Sequence, residues 1–135
     1  MAENHGFLID HVSVLITDLA RSRWFYGEVF GLKEIAKPRT FEFVVLWYDL
    51  GNQQLHLLLK DAPDARSPRH FALRVPNAQA ARSYFLEQEV PVEETTPIPN
   101  CDRFFVYDPD GNRIEIIQWL EPYDPAKSGA NQLDR

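Results

Sequence analysis

The sequence has a single cysteine, Cys101, and this excludes an internal disulfide. A thiol acts as a nucleophile when its pKa is depressed or a base adjoins it. Cys101 follows a stretch that contains Pro and Asn and has no neighbouring histidine. We therefore expect no nucleophilic role for this residue.

Long apolar runs are also missing. No run approaches the roughly 20 residues that a membrane-spanning helix needs. The stretch from Met1 to His5 lacks the basic segment followed by an apolar segment that marks a secretory signal. The sequence therefore predicts a cytoplasmic protein with no membrane partner.

Positive charge is scarce, because 14 Lys and Arg residues face 20 Asp and Glu residues, for a formal charge of −6. A surface that binds the phosphates of nucleic acids is typically basic, so we expect no nucleic-acid partner. With 135 residues, of which 44% are apolar, the chain is long enough for one globular domain with its own core.

The stretch 107–117 predicts a tight turn followed by a strand. Pro109 fixes φ, and Gly111 with its polar neighbours tolerates positive φ, so the chain can reverse there. In the strand that follows, Glu115 points away from the isoleucines on either side, because side chains alternate between the two faces of a sheet. Glu115 therefore faces either solvent or a cavity.

Hydrophobic periodicity and turn residues divide the rest of the chain into helices and strands. Helical spacing predicts helices over 19–30 and 78–89, each preceded by a capping side chain, Asp18 or Asn77. Gly31 ends the first helix in the left-handed conformation. Strands are predicted over 7–16, 32–36, 41–50, 53–59, 70–75, 91–94, 103–107 and 113–119.

The second half of the chain repeats the pattern of the first half. A shift of 59 residues places His11 on His70 and His56 on Glu115, and the two helix caps coincide as well. The Gly-Asn pairs of two turns match at a shift of 60. The sequence therefore predicts an α+β fold within one domain, 1–135, made of a first βαβββ module (7–59), a linker (60–69), a second βαβββ module (70–119) and a mobile tail (122–135).

Four residues at repeat-related positions could hold a metal ion: His11, His56, His70 and Glu115. The first strand of each module begins with a histidine, and the last strand carries His56 or Glu115, so two modules related by a pseudo-twofold axis can line one cleft. Two histidines and a carboxylate form the facial triad that suits a divalent first-row metal. Taken singly, His11 could be a core histidine and His70 an exposed one. Their shared placement favours a metal site.

Five stretches of the sequence together resemble the vicinal oxygen chelate superfamily. This superfamily includes glyoxalase I, fosfomycin-resistance thiol transferases, extradiol dioxygenases, methylmalonyl-CoA epimerase and bleomycin-resistance proteins. The resemblance covers about residues 7–118. The five stretches are Ile9-Asp10-His11-Val12-Ser13-Val14, Phe25-Tyr26-Gly27-Glu28-Val29-Phe30-Gly31-Leu32, Gln54-Leu55-His56-Leu57, His70-Phe71-Ala72-Leu73-Arg74-Val75 and Asp108-Pro109-Asp110-Gly111-Asn112-Arg113-Ile114-Glu115.

The resemblance implies that the two modules form an open, U-shaped mixed sheet around one divalent metal ion, Fe, Mn, Ni or Zn. It assigns the first-strand ligands to His11 and His70 and the last-strand ligand to Glu115. Glyoxalase I has a glutamate where this chain has His56, so His56 is either a fourth ligand or a proton carrier beside the ion. Glu115 and His56 are then the expected catalytic residues.

Two classes of function are compatible with the resemblance. In the first, a metal-dependent enzyme holds two neighbouring oxygens of a small substrate and stabilises developing negative charge, as a lyase or isomerase, a thiol transferase or a dioxygenase. In the second, a metal-free dimer of the bleomycin-resistance type binds a small molecule. Both imply a homodimer. The aromatic stretches 41–48 and 103–107 would line the cleft, and Arg39 or Arg103 could receive a substrate anion.

Overall fold

The computed structural model describes residues 5–40 and 42–127, which form two four-stranded sheets with helical segments. The strands are β1 (His11–Ile16), β2 (Lys33–Ile35), β3 (Val45–Asp49), β4 (Gln54–Leu59), β5 (Phe71–Arg74), β6 (Glu93–Glu94), β7 (Cys101–Tyr107) and β8 (Arg113–Trp119). The helical segments are α1 (Leu19–Ser22), which continues as a π-helix (Arg23–Val29), then α2 (Ala78–Glu87) and a 3-10 turn (Pro125–Lys127).

Both sheets are mixed and have the same strand order. The first sheet is β1-β4-β3-β2 and the second is β5-β8-β7-β6. In each sheet the first strand of the module runs parallel to its last strand, and the remaining pairs are antiparallel. The βαβββ unit therefore occurs twice, and the predicted α+β fold of tandem modules is confirmed.

The strand registers repeat as the sequence comparison predicts. Ser13 lies opposite His56 in the first sheet, and Ala72 lies opposite Glu115 in the second. Both residues of the second pair follow those of the first by the predicted 59 positions. Because register decides which face a side chain occupies, His56 and Glu115 lie on equivalent faces of their sheets.

The first helix begins where the sequence predicts but widens after one turn. Asp18 accepts a hydrogen bond of 2.9 Å from the N–H of Arg21 and so caps α1. The next seven residues are π-helical, and the N–H of Phe30 donates to the carbonyl of Phe25, five residues earlier. The wider turn allows the adjacent side chains of Phe25 and Tyr26 both to enter the core.

Both helices end in left-handed backbone. Gly31 has a φ of +72°, as predicted for the residue that ends the first helix. At the start of the second helix, Asn77 caps α2 by accepting a 2.9 Å hydrogen bond from the N–H of Ala80. The second helix ends at Glu87 rather than at the predicted Glu89, whose own φ of +60° is incompatible with a helix.

Two predicted strands are longer than the observed ones. The strand predicted over 41–50 spans Val45–Asp49, and Phe41 lies outside the described residues. The neighbouring β2 is short and reaches only the residue opposite Trp47, so the chain before β3 lacks a partner on that side. Likewise β1 begins at His11 rather than at residue 7, because its partner β4 begins opposite His11.

The helix-covered faces of the two sheets contribute to one hydrophobic core. The isoleucines beside Glu115 are among its most buried members, at 0% and 1% exposure, so Glu115 faces the other side. The core comprises Ile16, Phe25, Tyr26, Val29, Leu46, Tyr48, Leu55 and Leu57 from the first module, with Ala78, Phe85, Val90, Phe104, Val106, Ile114 and Ile116 from the second.

A buried carboxylate joins the two modules. The hydroxyl of Tyr26, in the first module, donates a 2.6 Å hydrogen bond to Oδ2 of Asp108 in the second. Oδ1 of Asp108 accepts from the N–H groups of Asp110 and Asn112 at 2.9 and 2.8 Å. The side chain of Asn112 donates to Oδ2 of Asp108 and to the carbonyl of Leu15. The hairpin turn of the second module is thereby fixed to the first.

No helix among the described residues is long and apolar enough to cross a membrane. Part of the predicted mobile tail, from residue 128 onward, lies outside the described residues. The boundaries predicted for the domain and its linker stay predictions.

Candidate functional site

His70 and Glu115 form one cluster on the face of the second sheet that is turned away from the core. His70 immediately precedes β5, and Glu115 lies in the middle of β8, which pairs with β5. The Nε2 atom of His70 lies 3.0 Å from Oε1 of Glu115. The carboxylate is 7% exposed, whereas solvent is the usual environment for an unpaired glutamate. We call this pair the second half-site.

The hydrogen bonds of His70 decide which of its nitrogens could bind a metal. Nδ1 lies 2.9 Å from the carbonyl of Pro68, which can only accept, so Nδ1 carries the proton. In the neutral ring Nε2 then presents a lone pair to the carboxylate of Glu115, which also can only accept. A cation between the two atoms, either a proton or a metal ion, makes this contact favourable. The donor set therefore fits a divalent ion.

Arg103 holds the other oxygen of Glu115. Its Nη1 lies 3.4 Å from Oε2, and its Nε and Nη2 donate to the carbonyl of Thr96 at 3.2 and 2.8 Å. The side chain is 16% exposed and fixed by contacts on both sides. Arg103 therefore orients the carboxylate and leaves Oε1 directed at His70. Arg39, the other arginine named from the sequence, is exposed in the loop after β2.

His11 and His56 form a second cluster, on the equivalent face of the first sheet. The ring of His56 lies between Trp47 and His11, with ring centroids 3.9 and 4.1 Å away and interplanar angles of 6° and 19°. The three residues come from neighbouring strands, β3, β4 and β1. We call the His11–His56 pair the first half-site.

His56 is neutral near pH 7. Burial lowers the pKa of its imidazole, the nearby His11 lowers it further, and Asp10 acts in the opposite direction. Its Nε2 lies 2.8 Å from Oε1 of Gln54, which can only accept, so Nε2 carries the proton and Nδ1 has the free lone pair. Nδ1 is therefore the atom through which His56 could accept a proton or bind a metal.

The structure brings the four predicted ligands together as two pairs rather than as one group. Among the described residues, no three or more His, Cys, Asp or Glu side chains are arranged to hold one metal ion. The two half-sites lie on separate sheets, and each alone offers too few ligands for a stable site. The predicted set of His11, His56, His70 and Glu115 stays a prediction.

The family model of the Glyoxalase/Bleomycin resistance protein/Dioxygenase superfamily matches residues 8–116. The chain belongs to this superfamily. The match spans both modules and all four predicted ligands, so the resemblance drawn from the sequence is confirmed.

The proteins that resemble this chain include both an enzyme and a binding protein. A glyoxalase family protein from Bacillus anthracis is 30% identical, with a TM-score of 0.80 over 87% of this chain and 99% of that one. The trivalent organoarsenical cleaving enzyme of Bacillus sp. (strain MD1) is 26% identical over 116 residues, 79% of this chain and 70% of the relative. TnmS3, an antibiotic-binding protein from Streptomyces sp. CB03234, shares the fold at 21% identity, with a TM-score of 0.68 over 84% of this chain and 96% of that one.

Two residues that shape the half-sites were not predicted from the sequence: Gln54 and Arg113. Arg113 shares a strand face with Glu115, two residues away, and alternation along the strand could have pointed to it. Trp47 lies beside His56 because β3 pairs with β4, and Gln54 contacts His56 through a side-chain hydrogen bond. Neither contact can be read from the sequence. Among the described aromatic residues that were predicted to line the cleft, Trp47 and Phe105 lie beside the half-sites, whereas Tyr48 and Phe104 face the core.

Cys101 begins β7 and is half-buried. Burial raises the pKa of its thiol, and Arg103 lowers it by a smaller amount. The thiol is therefore protonated near pH 7, in agreement with the expectation that it is not an activated nucleophile.

Proposed function

We propose that this chain is a divalent-metal-dependent enzyme that acts on a small substrate through two neighbouring oxygens. The ion, Fe, Mn, Ni or Zn, would be held by His11, His70 and Glu115, with His56 as a fourth ligand or beside it. The observation that carries the proposal is the 3.0 Å contact between Nε2 of His70 and Oε1 of Glu115, two groups that a bound divalent ion would hold together.

We propose further that each complete site forms in a homodimer. The first half-site of one copy would face the second half-site of the other, which supplies the three or four ligands that neither half-site has alone. The free edges of β1 and β5, each paired on one side only among the described strands, support such an arrangement.

The ion would supply Lewis-acid stabilisation of negative charge that develops on the substrate oxygens. The protein residues have separate tasks. The carbonyl of Pro68 fixes the tautomer of His70, and Arg103 orients the carboxylate of Glu115. Trp47 fixes the ring of His56, whose Nδ1 is free to accept a proton from the substrate.

Metal binding is tested on protein purified without a chelator or a histidine tag and then reconstituted anaerobically with Fe, Mn, Ni or Zn. Glu115→Gln keeps the size of the side chain and removes its charge, so we expect metal affinity to fall at least about tenfold. Glu87→Gln, on the exposed face of α2, is the matched control and should bind metal normally. Equal affinity of both variants and the parent would disprove the site.

The shared site is tested by mixing His11→Ala with Glu115→Gln chains under conditions that exchange subunits. In a mixed dimer, one site then combines both defects and the other combines two intact half-sites. We therefore expect the mixture to regain metal that neither variant binds alone. No recovery, or a sedimentation coefficient of a monomer at micromolar concentration, would contradict the dimeric site.

The role of His56 is tested by His56→Ala. Loss of turnover with metal content retained would assign it as a proton carrier, and loss of both would assign it as a ligand. Activity is measured with hemithioacetals of 2-oxoaldehydes, fosfomycin, catechols and a trivalent organoarsenical. The last substrate is included because a named relative cleaves such compounds.

A second candidate is a metal-free dimer that binds a small molecule. The observation that favours it is the stack of Trp47, His56 and His11, in which both faces of the His56 ring are covered by other rings. The antibiotic-binding relative shows that this fold also carries binding function. Protein that gains no metal on reconstitution but binds a planar aromatic compound would support this candidate against the enzyme.

A further inference from the structure

The cavity beside His70 is basic, although the chain as a whole is acidic. It has a volume of about 500 Å³ and lies between β1, the linker and the start of β5. Its described lining includes three arginines, Arg66, Arg69 and Arg113, and one acidic residue, Asp64. Since the formal charge of the chain is −6, this concentration of positive charge points to a local role.

Arg113 is held in place next to the second half-site. Its guanidinium lies over the ring of Phe105, 3.6 Å from the centroid. Its Nη1 lies 3.4 Å from the carbonyl of Pro68, the same oxygen that accepts from Nδ1 of His70. The guanidinium is therefore fixed close to the histidine that we assign to the metal.

The hydrogen-bonding capacity of Arg113 is not used up. Its Nε is buried and has no hydrogen-bond partner among the described residues. Its Nη2 lies 3.8 Å from Oε1 of Glu93, which is longer than a hydrogen bond. A fixed guanidinium with donors to spare is suited to a ligand that brings oxygen acceptors.

Arg66 packs on a second aromatic ring, which belongs to the same strand as Phe105. Its guanidinium lies over the ring of Tyr107, 4.9 Å from the centroid, and Tyr107 shares a face of β7 with Phe105. It also packs on Gly111, where a Cβ would come within 3.2 Å of Nε and where φ is +86°. Arg69, in contrast, is already paired with Asp64 at 3.2 Å.

We propose that Arg113 and Arg66 bind an anionic oxygen group of the substrate, a carboxylate, phosphate or phosphonate, in the cavity beside the second half-site. The guanidinium of arginine matches such groups with paired, charge-assisted hydrogen bonds. Placed here, the arginines select compounds that carry an acidic group close to the oxygens that would meet the metal. The assignment of this anion to the substrate rests on the proposed function, whereas anion binding itself does not.

The test measures the binding of inorganic phosphate to the metal-free, full-length protein by isothermal titration calorimetry. Arg113→Met keeps the aliphatic stem on Phe105 and removes the charge, and we expect it to weaken phosphate binding at least tenfold. Arg66→Met, at an exposed position, should weaken it about three- to tenfold. Arg21→Met, at an exposed arginine of α1, is the matched control and should bind phosphate within twofold of the parent.

Phosphate binding that is absent in the parent, or equal in the parent and both cavity variants, would overturn the proposal. If Arg113→Met fails to fold, Arg66→Met decides, since its side chain is exposed. Metal content is measured in parallel on separate samples. If Arg113→Met loses phosphate binding and the parent binds no metal, the anion site is supported and the metal enzyme is refuted. If the parent binds metal and Arg113→Met binds phosphate as the parent does, the metal enzyme is supported and the anion site is refuted.

Discussion

The two modules have the same strand order and register, yet they carry different chemistry. On the face turned away from the core, the first sheet presents a stack of rings, Trp47, His56 and His11. The equivalent face of the second sheet presents charged groups, Glu115 held by Arg103, with a second arginine on Phe105. A single topology therefore fixes where these side chains lie, while the residues at those positions decide their chemistry.

The equivalent turns of the two modules also differ in how much they contribute to the contact between the modules. Asp108, before the turn of the second module, is 4% exposed and accepts four hydrogen bonds. Asp49, before the corresponding turn of the first module, is exposed and accepts from the N–H of Gly51 at 2.9 Å. The joint between the modules is thus asymmetric, and it depends on the second turn.

The largest expected effect comes from breaking this asymmetry. Asp108→Ala leaves the hydroxyl of Tyr26 and the amide of Asn112 without their buried acceptor, so we expect a loss of about 3 kcal/mol or more in the free energy of unfolding. Asp49→Ala should cost less than about 1 kcal/mol, because water can replace the carboxylate. Urea denaturation of both variants measures the difference, and equal losses would show that the buried joint is not special.

A second, smaller contrast lies in two repeat-related ion pairs. Arg82 of α2 binds Glu94 and Asp102 with paired hydrogen bonds of 2.7 to 3.0 Å and is 17% exposed. Arg23 of the π-helix binds Glu34 at 2.9 Å and is 52% exposed. We expect Arg82→Met to destabilise the protein by about 1–2 kcal/mol and Arg23→Met by less than about 1 kcal/mol.

Salt should affect the two ion pairs to different extents. An exposed pair is screened by salt more than a partly buried one. Thermal denaturation at low and at about 1 M NaCl should therefore reduce the effect of Arg23→Met more than that of Arg82→Met. Equal costs at both salt concentrations would show that burial does not distinguish the two pairs.

The smallest expected effect is a pH dependence that belongs to the first module. Burial lowers the pKa of His56 in the folded chain, so the unfolded chain takes up its proton first as the pH falls. This residue therefore makes the metal-free protein lose stability below the ordinary histidine value of about 6.5. His56→Phe preserves a ring between Trp47 and His11 and removes the titration. Between pH 7 and 5.5 it should lose less stability than the parent, and an unchanged pH dependence would contradict the lowered pKa.

The sequence predicted the helix caps, the turns and the repeated modules well, because interactions over a few residues determine these features. Asp18 and Asn77 cap their helices, and Gly31 ends the first with positive φ, as short-range rules require. The alternation around Glu115 correctly separated a core face from a second face. Strand lengths were predicted less well, since a strand such as β1 begins only where its partner β4 begins.

The candidate site was predictable as a list of residues and not as an arrangement. The repeat pointed to His11, His56, His70 and Glu115, and the structure places these as two pairs on equivalent sheet faces. The sequence contained no sign that His56 is stacked on Trp47, because that contact depends on strand register. The π-helix was also unforeseen, since one extra residue per turn leaves no clear periodicity.

The sequence by itself determined the two βαβββ modules, their caps and turns, and which residues occupy repeat-related positions. These features follow from hydrophobic alternation and backbone preferences that act over a few residues. Only the tertiary structure decided that Asp108 of one module is buried against Tyr26 of the other, and that Arg113 lies on Phe105 beside His70. Such contacts join residues that are far apart in the chain, and their formation depends on how the sheets and helices pack, which no local pattern encodes.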